Sequence, residues 1–126
     1  TENREYVCFR QTKYAVEGTS LAIVGGFIEP GEEPLKAAKR ELLEETGYEA
    51  PTWTFLGRYA VDGNRVVGNA HFYLAEEAYW KQAIHVDDLE EQEMVLLSRD
   101  QLKQALQEDQ FKVLPWAAIV ALALAR

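Results

Sequence analysis

The chain has 126 residues, of which 48% are hydrophobic and 11% aromatic, so it can form one packed core despite a net charge of −8. The acidic balance, with a sequence pI near 4.8, disfavours a nucleic-acid-binding surface. A small phosphorylated ligand is still compatible with this charge if a divalent cation lies between the two sets of negative groups. We therefore predict a single domain over residues 1–126.

The first half of the chain predicts two strands and one helix. Residues 5–11 and 20–24 are the predicted strands, and the second strand stops at Gly25-Gly26. Pro34 suits the first position of a helix, because its missing N–H would be unpaired there anyway. We expect this helix to run to about Thr46, with Gly47 as the left-handed residue that ends it.

The second half predicts three strands and two further helices. Residues 53–61 and 69–75 form two antiparallel strands with a turn at residues 62–64, and an irregular acidic segment follows at residues 79–89. A strand at residues 93–97 leads to Ser98 and Gln101, which form a capping box for a helix through about Leu106. Since strands and helices do not alternate regularly, the order predicts an α+β chain or an α/β/α sandwich with a mixed sheet.

The last helix, which Pro115 opens, is apolar on all sides from Trp116 to Ala125. It is either a buried core helix, or a helix with one face on the domain and the other on a second subunit. Its apolar run falls short of the ~20 residues that cross a bilayer, so we expect no membrane partner.

The single cysteine and the first five residues indicate in which cellular compartment the protein is expected. Cys8 is the single cysteine of the sequence, and the apolar pattern around it favours a core residue over a nucleophile. No disulfide can form within the chain, which fits a reducing compartment. The first five residues show no signal-peptide pattern, so a cytoplasmic location is the expectation.

Three carboxylates lie close together on the first predicted helix. At about 100° per residue, Glu41, Glu44 and Glu45 fall within an arc of ~100°. Like charges at this spacing repel, and near the carboxyl end of a helix they also oppose its dipole. The plain alternative is a solvated acidic face. A bound divalent cation would instead turn the repulsion into attraction, and magnesium prefers oxygen ligands.

Two neighbouring features strengthen the cation hypothesis. Gly25-Gly26, just before the helix, can bring a backbone carbonyl close to the same cation because glycine permits close approach. Arg40 can hold a carboxylate in a fixed orientation through two parallel hydrogen bonds, although an ordinary surface ion pair is the alternative.

The spacing of these residues resembles a known signature. Gly26 is followed by five residues, Glu32, seven residues and then the run Arg40-Glu41-Leu42-Leu43-Glu44-Glu45-Thr46-Gly47-Tyr48. This looks like the complete Nudix box, G-x5-E-x7-R-E-U-x-E-E-x-G-U, in which U is a bulky apolar residue. The resemblance extends over most of the chain and implies the family's α+β fold, an α/β/α sandwich with a mixed β-sheet.

The resemblance also implies roles for these residues. Glu41 and Glu45 would be direct ligands of Mg²⁺, with Mn²⁺ as a possible substitute, and the Gly25 carbonyl would complete the protein's share of the coordination. Glu44 would be a further ligand or would orient the attacking water. Arg40 belongs to the catalytic group by position, and with Glu32 it would hold the loop and the helix together.

The family's reaction is hydrolysis of a nucleoside diphosphate linked to another group, and it needs a general base. In the ADP-ribose pyrophosphatase branch the base is a glutamate in a loop before a late strand. By resemblance we favour Glu91, and then Glu90, in the acidic segment ahead of Glu93. A solvated acidic loop is the alternative.

Several segments resemble the ADP-ribose or nucleotide-sugar branch. Residues 10–14 resemble its arginine-glutamine segment, so Arg10 and Gln11 are candidate substrate-binding residues, with Arg65 as a third. His71, in a segment that resembles the branch's strand after the box, is expected to be a strand residue with a satisfied hydrogen bond rather than a catalyst. The chain departs from the branch at Gly63, where many members have proline. The expected reaction converts ADP-ribose or an ADP-sugar into AMP and a sugar phosphate.

By resemblance, members of the family usually have a strand before the one predicted at residues 5–11. That strand is either lost, or lies outside the given sequence, or is replaced by a partner chain that covers the edge. An exposed strand edge invites pairing with another chain. Together with the apolar last helix, this predicts a homodimer.

Two other functions stay open. One is a nucleoside triphosphate pyrophosphatase of the same fold, which would release pyrophosphate. The other is a non-catalytic nucleotide-binding regulatory module, against which the intact Glu41, Glu44 and Glu45 argue.

Overall fold

The computed structural model describes residues 1–12, 18–26, 28–61, 68–84 and 92–126. In chain order the elements are β1 (Glu5–Thr12), β2 (Thr19–Ala22), α1 (Pro34–Thr46), β3 (Tyr48–Glu49), β4 (Thr52–Ala60), β5 (Asn69–Glu76), β6 (Tyr79–Trp80), β7 (Gln92–Ser98), α2 (Arg99–Gln107) and α3 (Leu114–Leu124). The predicted α+β class is confirmed, and every predicted strand and helix is present with its ends shifted by at most about two residues.

The strands pair in three groups. β1 lies between β2 and β7 in a three-stranded sheet, β4 pairs with β5, and the short β3 pairs with β6. All of these pairings, within the described residues, are antiparallel, so the parallel pairing expected of a mixed sheet is not among them. β1–β2 and β4–β5 are each consecutive along the chain, and consecutive strands joined by a short connection return antiparallel.

The hydrophobic core lies between the three-stranded sheet and the helices α2 and α3. Cys8 and Leu21 from the sheet pack with Leu102, Phe111 and Val120 from the helical side. Cys8 is only 1% exposed, which confirms it as a core residue, and burial raises the pKa of its thiol to about 12. A buried side chain of the size of leucine stabilises the fold by about 1.5–3 kcal/mol.

Both predicted signals at the helix ends are confirmed. Ser98 Oγ accepts the N–H of Gln101, and the Gln101 side chain accepts the N–H of Ser98, so the capping box of α2 is complete. Gly47 ends α1 in the left-handed conformation, with a φ of 76°, and its N–H donates to the Leu43 carbonyl. The apolar face of α1 is centred on Ala37, Leu42 and Thr46.

Helix α3 packs on one side only. Val120 and Ala123 are buried, whereas Ala121 is exposed and the Leu114 side chain is 82% exposed. No helix in the described part of the chain is both long and apolar enough to span a membrane. The structure thus supports one packed face for α3, and the homodimer stays a prediction.

Candidate active site

The candidate site lies along the border of α1 where the helix meets the loop after β2. Glu41 stands on this border with its side chain only 16% exposed, while Glu44, three residues later, is 59% exposed. Glu45 is half-buried one turn after Glu41. The helical spacing therefore brings the three predicted carboxylates to one side of the helix. Glu44 is the one that faces solvent.

Arg40 organises the carboxylates around it. Its Nε and Nη2 donate to the two carboxylate oxygens of Glu32, at 2.8 and 3.0 Å, in a bidentate pair. Its Nη1 donates to Glu41 at 3.1 Å and to Glu44 at 3.2 Å. The guanidinium thus has one edge on the loop and one nitrogen between two helix carboxylates, which confirms that Arg40 and Glu32 join the loop to the helix.

Glu32 is held by more than Arg40. The Glu32 carboxylate also accepts the backbone N–H of Glu29 at 3.0 Å, and Gly31 takes a φ of 79° inside this turn. The hydrogen bond from Arg40, followed by that from Glu29, lowers the pKa of Glu32 to about 2. The same pair raises the pKa of Arg40 above its already high value, so both groups keep their charge across the physiological range.

Gly26 lies directly against the Glu41 carboxylate. A Cβ built on Gly26 would overlap all three atoms of the Glu41 carboxyl group, whereas a Cβ on Gly25 would meet nothing within 4 Å. Only glycine at position 26 lets the loop backbone approach this carboxylate so closely. The expected close approach of the Gly25-Gly26 backbone to the acidic helix face is therefore present.

The donor set fits a hard divalent cation by its chemistry. Carboxylate oxygens from α1 and the backbone of a glycine loop meet at Glu41, and oxygen is the ligand atom that magnesium and manganese prefer. In the described residues no three acidic, histidine or cysteine side chains are arranged as a ready cation cage.

The carboxyl end of α1 is attached to the segment around β6. The Gly47 carbonyl accepts the N–H groups of Lys81 and Gln82, at 2.8 and 3.1 Å, and a Cβ on Gly47 would collide with the Gln82 carbonyl. Lys81 also pairs with Glu49 at 2.5 Å, which raises the pKa of Lys81. The helix that carries the acidic residues is thereby fixed to the chain segment that leads toward residues 85–91.

The sequence prediction for residues 79–89 was wrong at its start, since Tyr79–Trp80 form β6 rather than irregular chain. The two residues pair with Tyr48–Glu49, and neither two-residue strand has a period long enough to be recognised. Thr46 was likewise not singled out. It is 3% exposed, and its Oγ1 donates to the Leu42 carbonyl and accepts the Tyr48 N–H, which joins α1 to β3.

The candidate substrate-binding residues of β1 point in opposite directions. Arg10 is paired in register with Leu21 and Glu93, and Gln11 with Ser20 and Gln92, so the two side chains lie on opposite faces of the sheet. The Arg10 guanidinium is 3.9 Å from the Glu93 carboxylate, while Gln11 is 6% exposed and its Oε1 has no partner in the described structure. Neither lines the cavity that Glu41 borders.

Three other candidates cannot be placed. Arg65, Glu90 and Glu91 lie outside the described residues. His71 is a β5 residue, as predicted, but its Nδ1 is buried without a hydrogen-bond partner in the described part of the chain, so the expected satisfied hydrogen bond was wrong.

A cavity of about 960 Å³ borders the site. Its walls come from β1, α1, β5 and α3, and Glu41, Gly26 and His71 are among the polar or backbone groups that line it. This volume lies within the range of about 300–1,000 Å³ that is usual for small-molecule sites. Of the acidic residues on the helix border, Glu41 lines this mostly apolar cavity, which also extends to core residues such as Leu102.

Comparison with known proteins identifies relatives of this chain. Residues 1–117 match the family model of the NUDIX domain. The methanol dehydrogenase activator of Bacillus methanolicus is 30% identical over 109 residues, 86% of this chain and 59% of that protein. The ADP-ribose pyrophosphatase of Bacillus subtilis (strain 168) is 35% identical over 77 residues, 61% of this chain and 42% of that protein.

The fold has a solved counterpart as well. The crystal structure of an ADP compounds hydrolase superposes with a TM-score of 0.81 over 96% of this chain and 65% of that chain, at 23% sequence identity. The chain thus spans between about two fifths and two thirds of the length of these relatives. At this identity the superposition concerns the fold.

Proposed function

The chain belongs to the NUDIX domain family, and on this premise we propose that it hydrolyses the diphosphate linkage of a nucleoside diphosphate joined to another group, with a divalent cation as cofactor. The favoured substrates are ADP-ribose or an ADP-sugar, which would yield AMP and a sugar phosphate. The observation that supports the proposal is the close packing of the Gly26 backbone on the Glu41 carboxylate, at the border of the cavity of about 960 Å³.

The cation is proposed to be Mg²⁺, with Mn²⁺ as a substitute, held by Glu41, Glu44, Glu45 and the Gly25 carbonyl. When bound, such a cation neutralises diphosphate oxygens and lowers the pKa of a bound water. A chain of net charge −8 would otherwise repel a diphosphate, so the acidic site and its anionic substrate both require the positive ion.

The chain's own groups then divide the remaining tasks. Glu44, whose side chain is 59% exposed, is proposed to bind the cation or to orient the attacking water. Glu32 and Arg40 keep the glycine loop and the helix at a fixed separation through their bidentate pair. The general base is proposed to be Glu91, with Glu90 as the second choice, on the resemblance to the family branch whose base lies in a loop before a late strand.

Substrate contacts are proposed for Arg10, Gln11 and Arg65. Arg10 and Gln11 lie on opposite faces of β1, so a single ligand on one face of the sheet would contact only one of them. Gln11 has a buried Oε1 with no partner in the described residues, and a donor on a substrate would satisfy it. Gln11→Leu and Arg10→Met, compared by KM, would show which of the two contacts the substrate.

The deciding experiment is a panel of nucleotides incubated with Mg²⁺, with the products identified. AMP plus a sugar phosphate supports the proposal, whereas a nucleoside monophosphate plus pyrophosphate indicates the triphosphate pyrophosphatase. Glu45→Gln should fold normally and lose most turnover, while Glu33→Gln, an exposed glutamate just before α1 without a capping hydrogen bond, is the matched control. Equal turnover in both variants would contradict the cation assignment.

Glu91→Gln tests the base separately. A loss of about 10²–10⁴-fold in rate is expected of a general base, and a loss well under tenfold would make this glutamate a bystander. The same measurement on Glu90→Gln distinguishes the two candidates.

A regulatory role is the second candidate, and the similarity to a protein named methanol dehydrogenase activator favours it. A non-catalytic module has no need for the acidic cluster at Glu41, Glu44 and Glu45, so we rank it below the hydrolase. Nucleotide binding without turnover across the panel would reverse this order.

The homodimer and the cytoplasmic location remain proposals. The 82% exposure of Leu114 on a helix without polar side chains supports an apolar contact with a second copy. Sedimentation that gives a monomer at micromolar concentration would exclude the dimer.

A further inference from the structure

Arg40 contacts two of the proposed cation ligands, Glu41 and Glu44, through Nη1. Its Nε and Nη2 donate to the two oxygens of Glu32, and Nη1 also lies 3.9 Å from Glu29. A guanidinium held in this way along one edge cannot move far from the site, and the two N–H groups of Nη1 are directed at the carboxylates of the helix.

The same carboxylates would have to serve a cation. Glu41 Oε1 and Glu44 Oε2, the two oxygens that Nη1 contacts at 3.1 and 3.2 Å, are acceptor atoms of two proposed ligands. An oxygen that donates its lone pair to a divalent cation has less of it for an N–H group, and two positive charges at the same oxygens repel. Arg40 and a cation therefore draw on the same negative charge.

From this geometry we propose that Arg40 competes with the cation for the same carboxylates: Nη1 neutralises Glu41 and Glu44, these carboxylates would turn from Nη1 to a cation when one is bound, and Glu32 would keep the guanidinium beside the site. The proposal rests on the cation-dependent function proposed above. According to the proposal, Arg40 weakens cation binding. A residue that only positioned the ligands would strengthen it, so the two roles predict opposite effects of removing Arg40.

The energetics give the size of the effect. Coulomb's law between a doubly charged ion and one positive charge about 5 Å away, even in a water-like dielectric, amounts to about a tenfold change in affinity. Arg40 is 25% exposed, so part of its surroundings is less polarisable than water, which strengthens the direct repulsion. Reorganisation of Glu41 and Glu44 on loss of their partner opposes this gain.

The test is Mn²⁺ binding to the nucleotide-free protein, measured by calorimetry or by the electron spin resonance of free Mn²⁺, without any activity readout. Arg40→Met should bind Mn²⁺ about tenfold more tightly than the original chain. Lys39→Met removes the same charge from an exposed position on the same helix and should change the affinity by less than about twofold. Circular dichroism checks that both variants fold.

A second variant guards against loss of structure in the first. Glu32→Gln removes the anchor and leaves more of the Arg40 charge for Glu41 and Glu44, so Mn²⁺ binding should weaken. Combined with Arg40→Met, the same change should have a clearly smaller effect, because the competitor is gone.

Three results would overturn the proposal. Unchanged or weaker Mn²⁺ binding by folded Arg40→Met makes Arg40 a positioning residue. An equal effect of Glu32→Gln in both backgrounds shows that Glu32 acts through its own charge. If the original chain does not bind Mn²⁺, both this proposal and the cation-dependent function fail. If the original chain binds Mn²⁺ but Arg40→Met does not bind it more tightly, only the role of Arg40 fails.

Discussion

Substitution of Gly26 by alanine isolates the contact on which the proposed site depends. The new Cβ would overlap all three atoms of the Glu41 carboxyl group. Ordinary carbon contacts lie at about 3.5–4.0 Å, so the carboxylate must retreat by about 1 Å or more. The backbone of Gly26 does not adopt a left-handed conformation, and alanine is therefore not strained by its φ.

The stability cost of Gly26→Ala is expected to be small. The displaced group is the far end of a flexible side chain, and an off-rotamer side chain costs about 0.5–1.5 kcal/mol. Alanine at a compatible φ returns about 0.4–1 kcal/mol by restricting the unfolded chain. The two contributions nearly cancel, so the melting temperature should move by only a few degrees.

The effect on turnover should be much larger. A misplacement of about 1 Å at a reacting centre lowers rates by about 10²-fold, which corresponds to about 2.7 kcal/mol of transition-state free energy. The assay is kcat/KM with Mg²⁺ on the substrate that the nucleotide panel identifies. Gly25→Ala is the matched control, since its Cβ meets nothing within 4 Å and its carbonyl is retained.

The reasoning would be refuted by a Gly26→Ala protein whose kcat/KM stays within about threefold of that of Gly25→Ala. Such a result would show that the Glu41 carboxylate can move without consequence, and the assignment of Glu41 as a cation ligand would fail. A loss of turnover together with a loss of folding would be recognised from the melting curve.

Three further predictions concern the fold around the site. Burial raises the pKa of Cys8 to about 12 at 1% exposure, so a disulfide reagent at neutral pH should label it only after unfolding, and rapid labelling of the folded protein would contradict the burial. Because the pKa of Glu32 falls from 4.5 to about 2 on folding, its stabilising contribution is present above pH 4.5 and lost as the pH falls through about 2. Urea unfolding between these pH values should therefore show a shallower pH dependence for Glu32→Gln, and identical slopes would rule the linkage out. Leu102→Ala, at 2% exposure, should cost about 2–5 kcal/mol in the same assay, whereas Leu114→Ala, at 82% exposure, should cost under about 0.5 kcal/mol at protein concentrations where the chain is monomeric.

Residues that act through their sequence neighbours were predictable. Pro34 and Gly47 bound α1 because one fixes φ and the other permits the left-handed conformation, and both properties belong to the residue itself. The capping box of Ser98 and Gln101 is likewise closed within four consecutive residues. The grouping of Glu41 with Glu44 on one side of α1 follows from the helical period alone.

Contacts between segments that are distant in the sequence were not predictable. The pairing of Tyr48 with Trp80 makes β3 and β6, and no local period in either segment announces it. His71 was expected to have a satisfied hydrogen bond, but the burial of its Nδ1 depends on which elements surround β5. Arg10 and Gln11 were grouped because they are adjacent, and the pleat of β1 sends them to opposite faces.

The sequence by itself determined the family, the helix that carries the carboxylates, and the strands and caps whose signals lie within a few residues. Only the tertiary structure decided how the charge is shared: several glutamates lie near Arg40 in the sequence, and the sequence cannot say that Glu32 accepts from Nε and Nη2 while Glu41 and Glu44 accept from Nη1. The physical reason is that local conformation depends on torsional preferences of consecutive residues, whereas electrostatic partners are chosen by distances that exist only after the loop has packed on the helix.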